Sequence, residues 1–147
     1  EIMPSLVGSE MCIRDSSYFH ELILFILRCQ MYEDNVITKM DTGNELIQKV
    51  IEYIIENYHN DITMAATAEL FNMSESSLSK KFKAFTGFRF REYLINVRTH
   101  AAADLFVNTS LSITEIADKC GFAESNTMGG TFKKIMGEAP GSYRKSH

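Results

Sequence analysis

Apolar residues recur every three to four positions between Leu46 and Tyr58. Leu46, Ile47, Val50, Ile51, Ile54, Ile55 and Tyr58 fall on one face of a helix. Asn44 is placed to cap that helix, and Tyr58-His59-Asn60-Asp61 ends it. A second strong period, Phe90, Tyr93, Leu94, Val97, Ala101, Leu105 and Phe106, predicts a long helix running to about Asn108. Nearer the N-terminus, Tyr18 to Gln30 is helical in period, with Phe19, Leu22, Ile23, Ile26 and Leu27 on one side. Leu24 and Phe25 make its other side apolar as well. A helix apolar all round needs burial on two sides, which points to the last helix of a preceding domain or to a seam between two copies. Met31 to Thr42 is polar and mixed, as in a linker. The only prolines are Pro4 and Pro140, so no proline breaks a helix between them. Strand-like alternation is essentially absent, and the expected fold class is all-α.

The pattern also repeats. Ile62-Thr63 opens one unit and Ile113-Thr114 another. From Ala68 and Ala117 they run in register, with one extra residue in the second. Asn72-Met73-Ser74-Glu75-Ser76 answers Gly121-Phe122-Ala123-Glu124-Ser125. Leu78 then answers Met128, Phe82-Lys83 answers Phe132-Lys133, Gly87 answers Gly137, and Tyr93 answers Tyr143. Each unit predicts a short helix, a tight turn at Asn72 or Gly121, and a second helix. Asn and Gly accept the left-handed backbone that such turns need. Ser112-Ile113-Thr114-Glu115 is a capping box. Thr63 is the expected cap in the first unit, Ser74 and Ser125 are candidate caps for the second helices, and Gly87 and Gly137 stop those helices. Leu78 and Phe82, like Met128 and Phe132, sit four apart and are expected to face inward.

From Ile62 to Tyr143 the chain resembles the AraC/XylS family of bacterial transcriptional regulators. The resemblance is carried by Leu111-Ser-Ile-Thr-Glu-Ile-Ala-Asp-Lys-Cys-Gly-Phe122, supported by Phe132-Lys133-Lys134, Gly137, Pro140 and Tyr143-Arg144. It implies a homeodomain-like, duplicated fold: two helix-turn-helix subdomains, at about 62–87 and 112–137, joined by a linker helix of roughly 91–107. It further implies double-stranded DNA as partner, with the second helix of each unit in the major groove. The positions where base contacts are expected are Ser76, Ser79 and Lys80, with Ser125, Asn126 and Thr127 in the second unit. Lys reaches guanine acceptors, and Asn pairs with adenine through two hydrogen bonds. Candidates for phosphate contact are Thr63, Lys83, Arg89, Arg98, Ser112, Thr131, Lys133 and Lys134. The second unit departs from the family: Gly130 stands where arginine is usual, and Gly129-Gly130 strips two side chains from the expected reading face. Each glycine also costs a helix roughly 0.8–1 kcal/mol relative to Ala.

Charge distribution supports this reading although the net charge is −4. Residues 1–44 hold three basic and seven acidic residues, and this segment accounts for the whole −4. Residues 45–147 hold twelve of each. Within them, Lys80, Lys81, Lys83, Arg89, Arg91 and Arg98 stand against Glu92 alone, while Lys133, Lys134, Arg144 and Lys145 face only Glu138. Local clusters of this kind set the field that a phosphate backbone meets. As a plain alternative, both clusters are solvated helix faces.

Other classes fit less well. His20, His59, His100 and His147 lack metal-ligand spacing, so neither a metal nor another cofactor is implied. Cys120 lies in the first helix of a unit, where a core thiol is the ordinary reading, and an enzyme is not expected. A helical protein-interaction module that has lost DNA binding remains the alternative, because of Gly129-Gly130. The longest apolar run, Leu22 to Leu27, is far short of a membrane span. Cys12, Cys29 and Cys120 are scattered and odd in number, as in a reducing compartment. The expected location is therefore the bacterial cytoplasm. Residues 5–16 resemble a translated sequencing adapter, so 1–16 are expected to be non-native. Residues 17–42 then represent a remnant of a missing N-terminal regulatory domain, through which a homodimer is expected, and 43–147 the DNA-binding domain. An activator in contact with RNA polymerase is the expected regulatory role.

Overall fold

The computed structural model describes residues 42–147, which form helices joined by short turns. The adapter-like segment, the Tyr18–Gln30 helix and the linker before Thr42 lie outside the described residues. In chain order the helices are α1 (Thr42–Asn57), α2 (Met64–Leu70), α3 (Glu75–Thr86), α4 (Phe90–Asn108), α5 (Ile113–Lys119), α6 (Ser125–Met136) and α7 (Pro140–Ser146). α1 begins at Thr42, so Asn44 lies in its first turn and is not its cap. Otherwise the periodic segments form helices at the expected places, and the class is all-α.

The helices divide between two cores that share α4. Ile47, Val50, Ile51, Ile54 and Ile55 of α1 pack with Ala68, Leu78, Phe82 and the first half of α4: Phe90, Tyr93, Leu94 and Val97. The second half of α4 contributes Ala102, Ala103 and Phe106 to another cluster, with Ile116, Ala117, Cys120, Met128 and Phe132. One 19-residue helix thus belongs to two lobes. Between them Thr99 is fully buried, its hydroxyl donating to the Ile95 carbonyl at 2.8 Å. That bond satisfies a polar group which would be costly to bury bare.

The sequence repeat becomes a repeat of packing. Phe82 meets Tyr93 edge-on, ring centroids 5.3 Å apart at 86°. Their counterparts Phe132 and Tyr143 meet at 5.2 Å and 81°. Leu78, Phe82, Met128 and Phe132 are all fully buried, as their spacing predicts. Asn72 (φ 53°) and Gly121 (φ 78°) hold left-handed backbone at the two turns. Each turn closes with matching bonds: Met73 N–H donates to Ala68 O at 2.8 Å, and Phe122 N–H to Ala117 O at 2.9 Å.

α7 adds an element that periodicity does not reveal, because seven residues give barely two turns. Pro140 starts it, where a missing N–H costs nothing. Tyr143 then packs against the second core. Among the described residues, no helix is long and apolar enough to cross a membrane.

Candidate nucleic-acid interface

α3 has two different sides. Leu78 and Phe82 seal it to the first core, while Ser76, Ser79, Lys80 and Lys83 are exposed. Those four lie at i, i+3, i+4 and i+7, a single stripe along the helix. Ser74 caps it, its hydroxyl accepting from Ser77 N–H at 3.3 Å. A Cβ on Gly43 would stand 3.7 Å from the Lys81 Nζ, which places that ammonium against the first turn of α1 and off the stripe.

α6 keeps the same scaffold with fewer side chains. Counting from the paired Leu78 and Met128, the stripe of α3 maps onto Asn126, Gly129, Gly130 and Lys133. Half of the second stripe therefore has no side chain. A Cβ built on either glycine meets nothing within 4 Å, so no packing contact calls for glycine there. Asn126 and Thr127 are exposed, whereas Ser125 and Thr131 are half-buried. Glu124, not Ser125, is the N-cap of α6, and its side chain makes no capping bond. Ser125 is the first helical residue, which corrects the expectation that it caps.

The phosphate candidates separate into two groups. Lys83, Arg89, Lys133 and Lys134 carry exposed cationic groups. Thr63 caps α2, accepting from Ala66 N–H at 3.2 Å, with no acid in that first turn. Ser112 differs. Its backbone N–H donates to the Glu115 carboxylate at 2.8 Å, and its hydroxyl accepts from Glu115 N–H at 3.2 Å. Hydrogen bonds from Ser112 hold the Glu115 carboxyl below its ordinary value, so a carboxylate already stands at the start of α5. A phosphate arriving there would meet a like charge.

Arg98, unlike those four cations, is engaged within the protein. Its Nε donates to the Tyr58 carbonyl at 2.7 Å and its Nη2 to the Asn60 carbonyl at 2.8 Å. Both carbonyls belong to the turn that follows α1, and that of Asn60 also accepts from Ile62 N–H at 3.0 Å. Arg144, counted above within a basic cluster, has the same task in the second lobe. It donates to the Phe106 and Leu111 carbonyls and lies 5.0 Å from the centre of the Phe106 ring. Neither role has a local sequence signal, since each bond spans more than thirty residues.

Cys120 is fully buried and burial pushes its thiol up to about 12. Such a thiol is inert at neutral pH, in line with a core residue. Among the described residues no cluster of His, Cys, Asp or Glu is arranged to hold a metal ion.

Two helical lobes that share α4, the first presenting an exposed polar and basic stripe from its second helix, define a DNA-binding domain of a transcriptional regulator. The family profile described as a helix-turn-helix domain matches residues 67–146. The chain belongs to the AraC-type helix-turn-helix regulators. It is 33% identical over 101 residues to the HTH-type transcriptional regulator YpdC of Escherichia coli, covering 69% of this chain and 35% of that protein. It is 28% identical over 126 residues to the Msm operon regulatory protein of Streptococcus mutans, covering 83% and 45%. The chain thus spans less than half the length of these curated relatives. Among solved structures, the C-terminal domain of AraT, a response regulator from Geobacillus stearothermophilus, superposes with a TM-score of 0.68 at 30% identity, over 75% of this chain and 89% of that one. The DNA-binding domain of the global transcriptional factor AdpA, solved in complex with a target DNA, gives 0.66 at 26% identity, over 68% and 90%. Proteins of this family are regulators, not enzymes.

Proposed function

We propose that residues 43–147 bind double-stranded DNA with α3 and α6 in successive major grooves, and that α3 does most of the sequence reading. The observation that carries this is the stripe Ser76, Ser79, Lys80 and Lys83, exposed on a helix whose opposite side is fully buried. Lys80 is suited to guanine acceptors, and the serines donate or accept according to the base. Ser125, Asn126 and Thr127 are the base-facing residues left to α6, with Asn126 the best placed because it is exposed and matches Ser76 on the stripe. Lys83, Arg89, Lys133 and Lys134 hold phosphates, with Thr63 and Thr131 adding neutral hydroxyls. Ser112 contributes little because of its Glu115 partner. A shared α4 sets the two second helices about one DNA turn apart, roughly 34 Å.

Within this reading the protein acts on promoter DNA in the bacterial cytoplasm. Activation through contact with RNA polymerase, and pairing into a homodimer through residues before 43, are supported by the family resemblance alone.

Lys80→Ala is the test. Lys80 is exposed and packs into neither core. The substitution is expected to weaken binding to DNA selected from a random-sequence pool by about 1–3 kcal/mol and to relax preference at one base pair. The melting temperature should not move. Unchanged affinity with an unchanged base preference would take Lys80 out of the interface.

A further inference from the structure

We propose that Arg98 and Gly121 are positioning residues. They lock the second lobe against the first, so that Lys133 and Lys134 meet phosphates at one fixed distance from the bases that α3 reads. The proposal rests on the DNA-binding reading above and adds a geometric constraint to it.

A single shared helix is a weak way to fix two lobes, because long helices bend. A second contact away from the helix axis turns a hinge into a rigid pair. The segment Tyr58 to Asn60 supplies that contact. It follows α1 and belongs to the first lobe, where Tyr58 packs against the core. From α4, Arg98 grips it with Nε on the Tyr58 carbonyl at 2.7 Å and Nη2 on the Asn60 carbonyl at 2.8 Å. Arg98 sits where α4 passes from the first core, ending at Val97, to the second, starting at Ala102.

From the other side comes the turn of the second lobe. A Cβ added at Gly121 would stand 2.8 Å from the His59 carbonyl oxygen and 2.9 Å from that of Tyr58. Real side chains do not approach backbone that closely, so only glycine lets the α5–α6 turn rest on this segment. The corresponding turn residue of the first lobe, Asn72, carries a side chain and is exposed. The close approach is therefore particular to the second turn and not a requirement of helix-turn-helix geometry. Burial, with the Asp104 carboxylate of α4 adding to it, also raises the Tyr58 hydroxyl above its ordinary value. Tyr58 is thus held between α4 and the second turn.

Fixing the seam fixes α6, which follows Gly121 directly. The register on DNA is set by α3, and the seam decides which phosphates Lys133 and Lys134 then reach. Loosening it leaves both lobes folded but lowers the effective concentration of the second lobe at its phosphates.

Phosphate-ethylation interference on a duplex selected with the wild-type chain tests this. The wild type should show one cluster of essential phosphates around the α3 site and a second, sharp cluster about ten base pairs away. In Arg98→Met the second cluster should fade and affinity fall roughly tenfold, while the first cluster and the base preference persist. Gly121→Ala should give the same pattern. Should Arg98→Met be unfolded in a parallel thermal melt, Arg98→Lys takes its place, since it keeps the charge and loses the two-pronged grip. A variant with the wild-type second cluster overturns the proposal, as does equal loss of both clusters. If the wild type binds no DNA with salt sensitivity, the DNA-binding reading itself fails and the proposal falls with it.

Discussion

Phe132→Ala is expected to destabilise the second lobe by about 3–5 kcal/mol and to melt it ahead of the first. Phe132 is fully buried and meets two rings edge-on, Phe106 and Tyr143, each at 5.2 Å. Leu105, Leu111, Phe122, Met136 and Tyr143 pack around its cluster only partly buried, and the fully buried set is poor in large side chains. Ala102, Ala103, Ala117 and Cys120 make up half of the buried cluster, leaving Phe106, Ile116 and Met128 to fill the space. The first core is better furnished, with four isoleucine or valine residues from α1 besides Ile55, and with Leu78, Phe82, Phe90, Tyr93, Leu94 and Val97. A cavity in the second cluster should therefore cost that lobe most of its stability and leave the first folded. Calorimetry should resolve two transitions in the variant, with the lower one shifted. A single transition displaced as a whole would show that the two cores unfold as one unit.

Binding should also weaken steeply as salt rises. Four exposed cations, Lys83, Arg89, Lys133 and Lys134, are assigned to phosphates. Each neutralised phosphate releases counterions and adds about −0.9 to the slope of log affinity against log salt. Four such contacts give a slope of about −3.6, or roughly a hundredfold loss for a fourfold rise in salt. Replacing both Lys133 and Lys134 by Ala should flatten the slope by about 2 and leave the base preference unchanged. A slope that stays the same would mean that α6 does not touch the phosphate backbone. Arg98 is left out of this sum because its guanidinium is already bound to the Tyr58 and Asn60 carbonyls.

Much of this architecture was legible along the chain, for reasons of local physics. Helix periods set by burial placed α1 and α4. The caps at Thr63, Ser74 and Ser112 and the turns at Asn72 and Gly121 follow from bonds made within five residues or fewer. The stripe on α3 was legible because the buried Leu78 and Phe82 fix which side faces out. Contacts between distant segments were not. An arginine that binds carbonyls 38 and 40 residues away looks, in sequence, like one free to bind phosphate. The special demand on Gly121 likewise comes from His59 and Tyr58, far back in the chain. At α6 the cap lies four residues before the buried Met128, as Ser74 lies before Leu78, which puts it at Glu124 and not at the neighbouring Ser125.

The central claim is that two lobes bind DNA and the first reads most of its sequence. The direct measurement is a base-by-base substitution scan of the selected duplex, at constant salt, with affinity recorded for each change. Substitutions under α3 should each cost about 1–3 kcal/mol, while those under α6 cost little outside the pair opposite Asn126. Equal discrimination beneath both helices, or indifference to sequence throughout, would contradict the account.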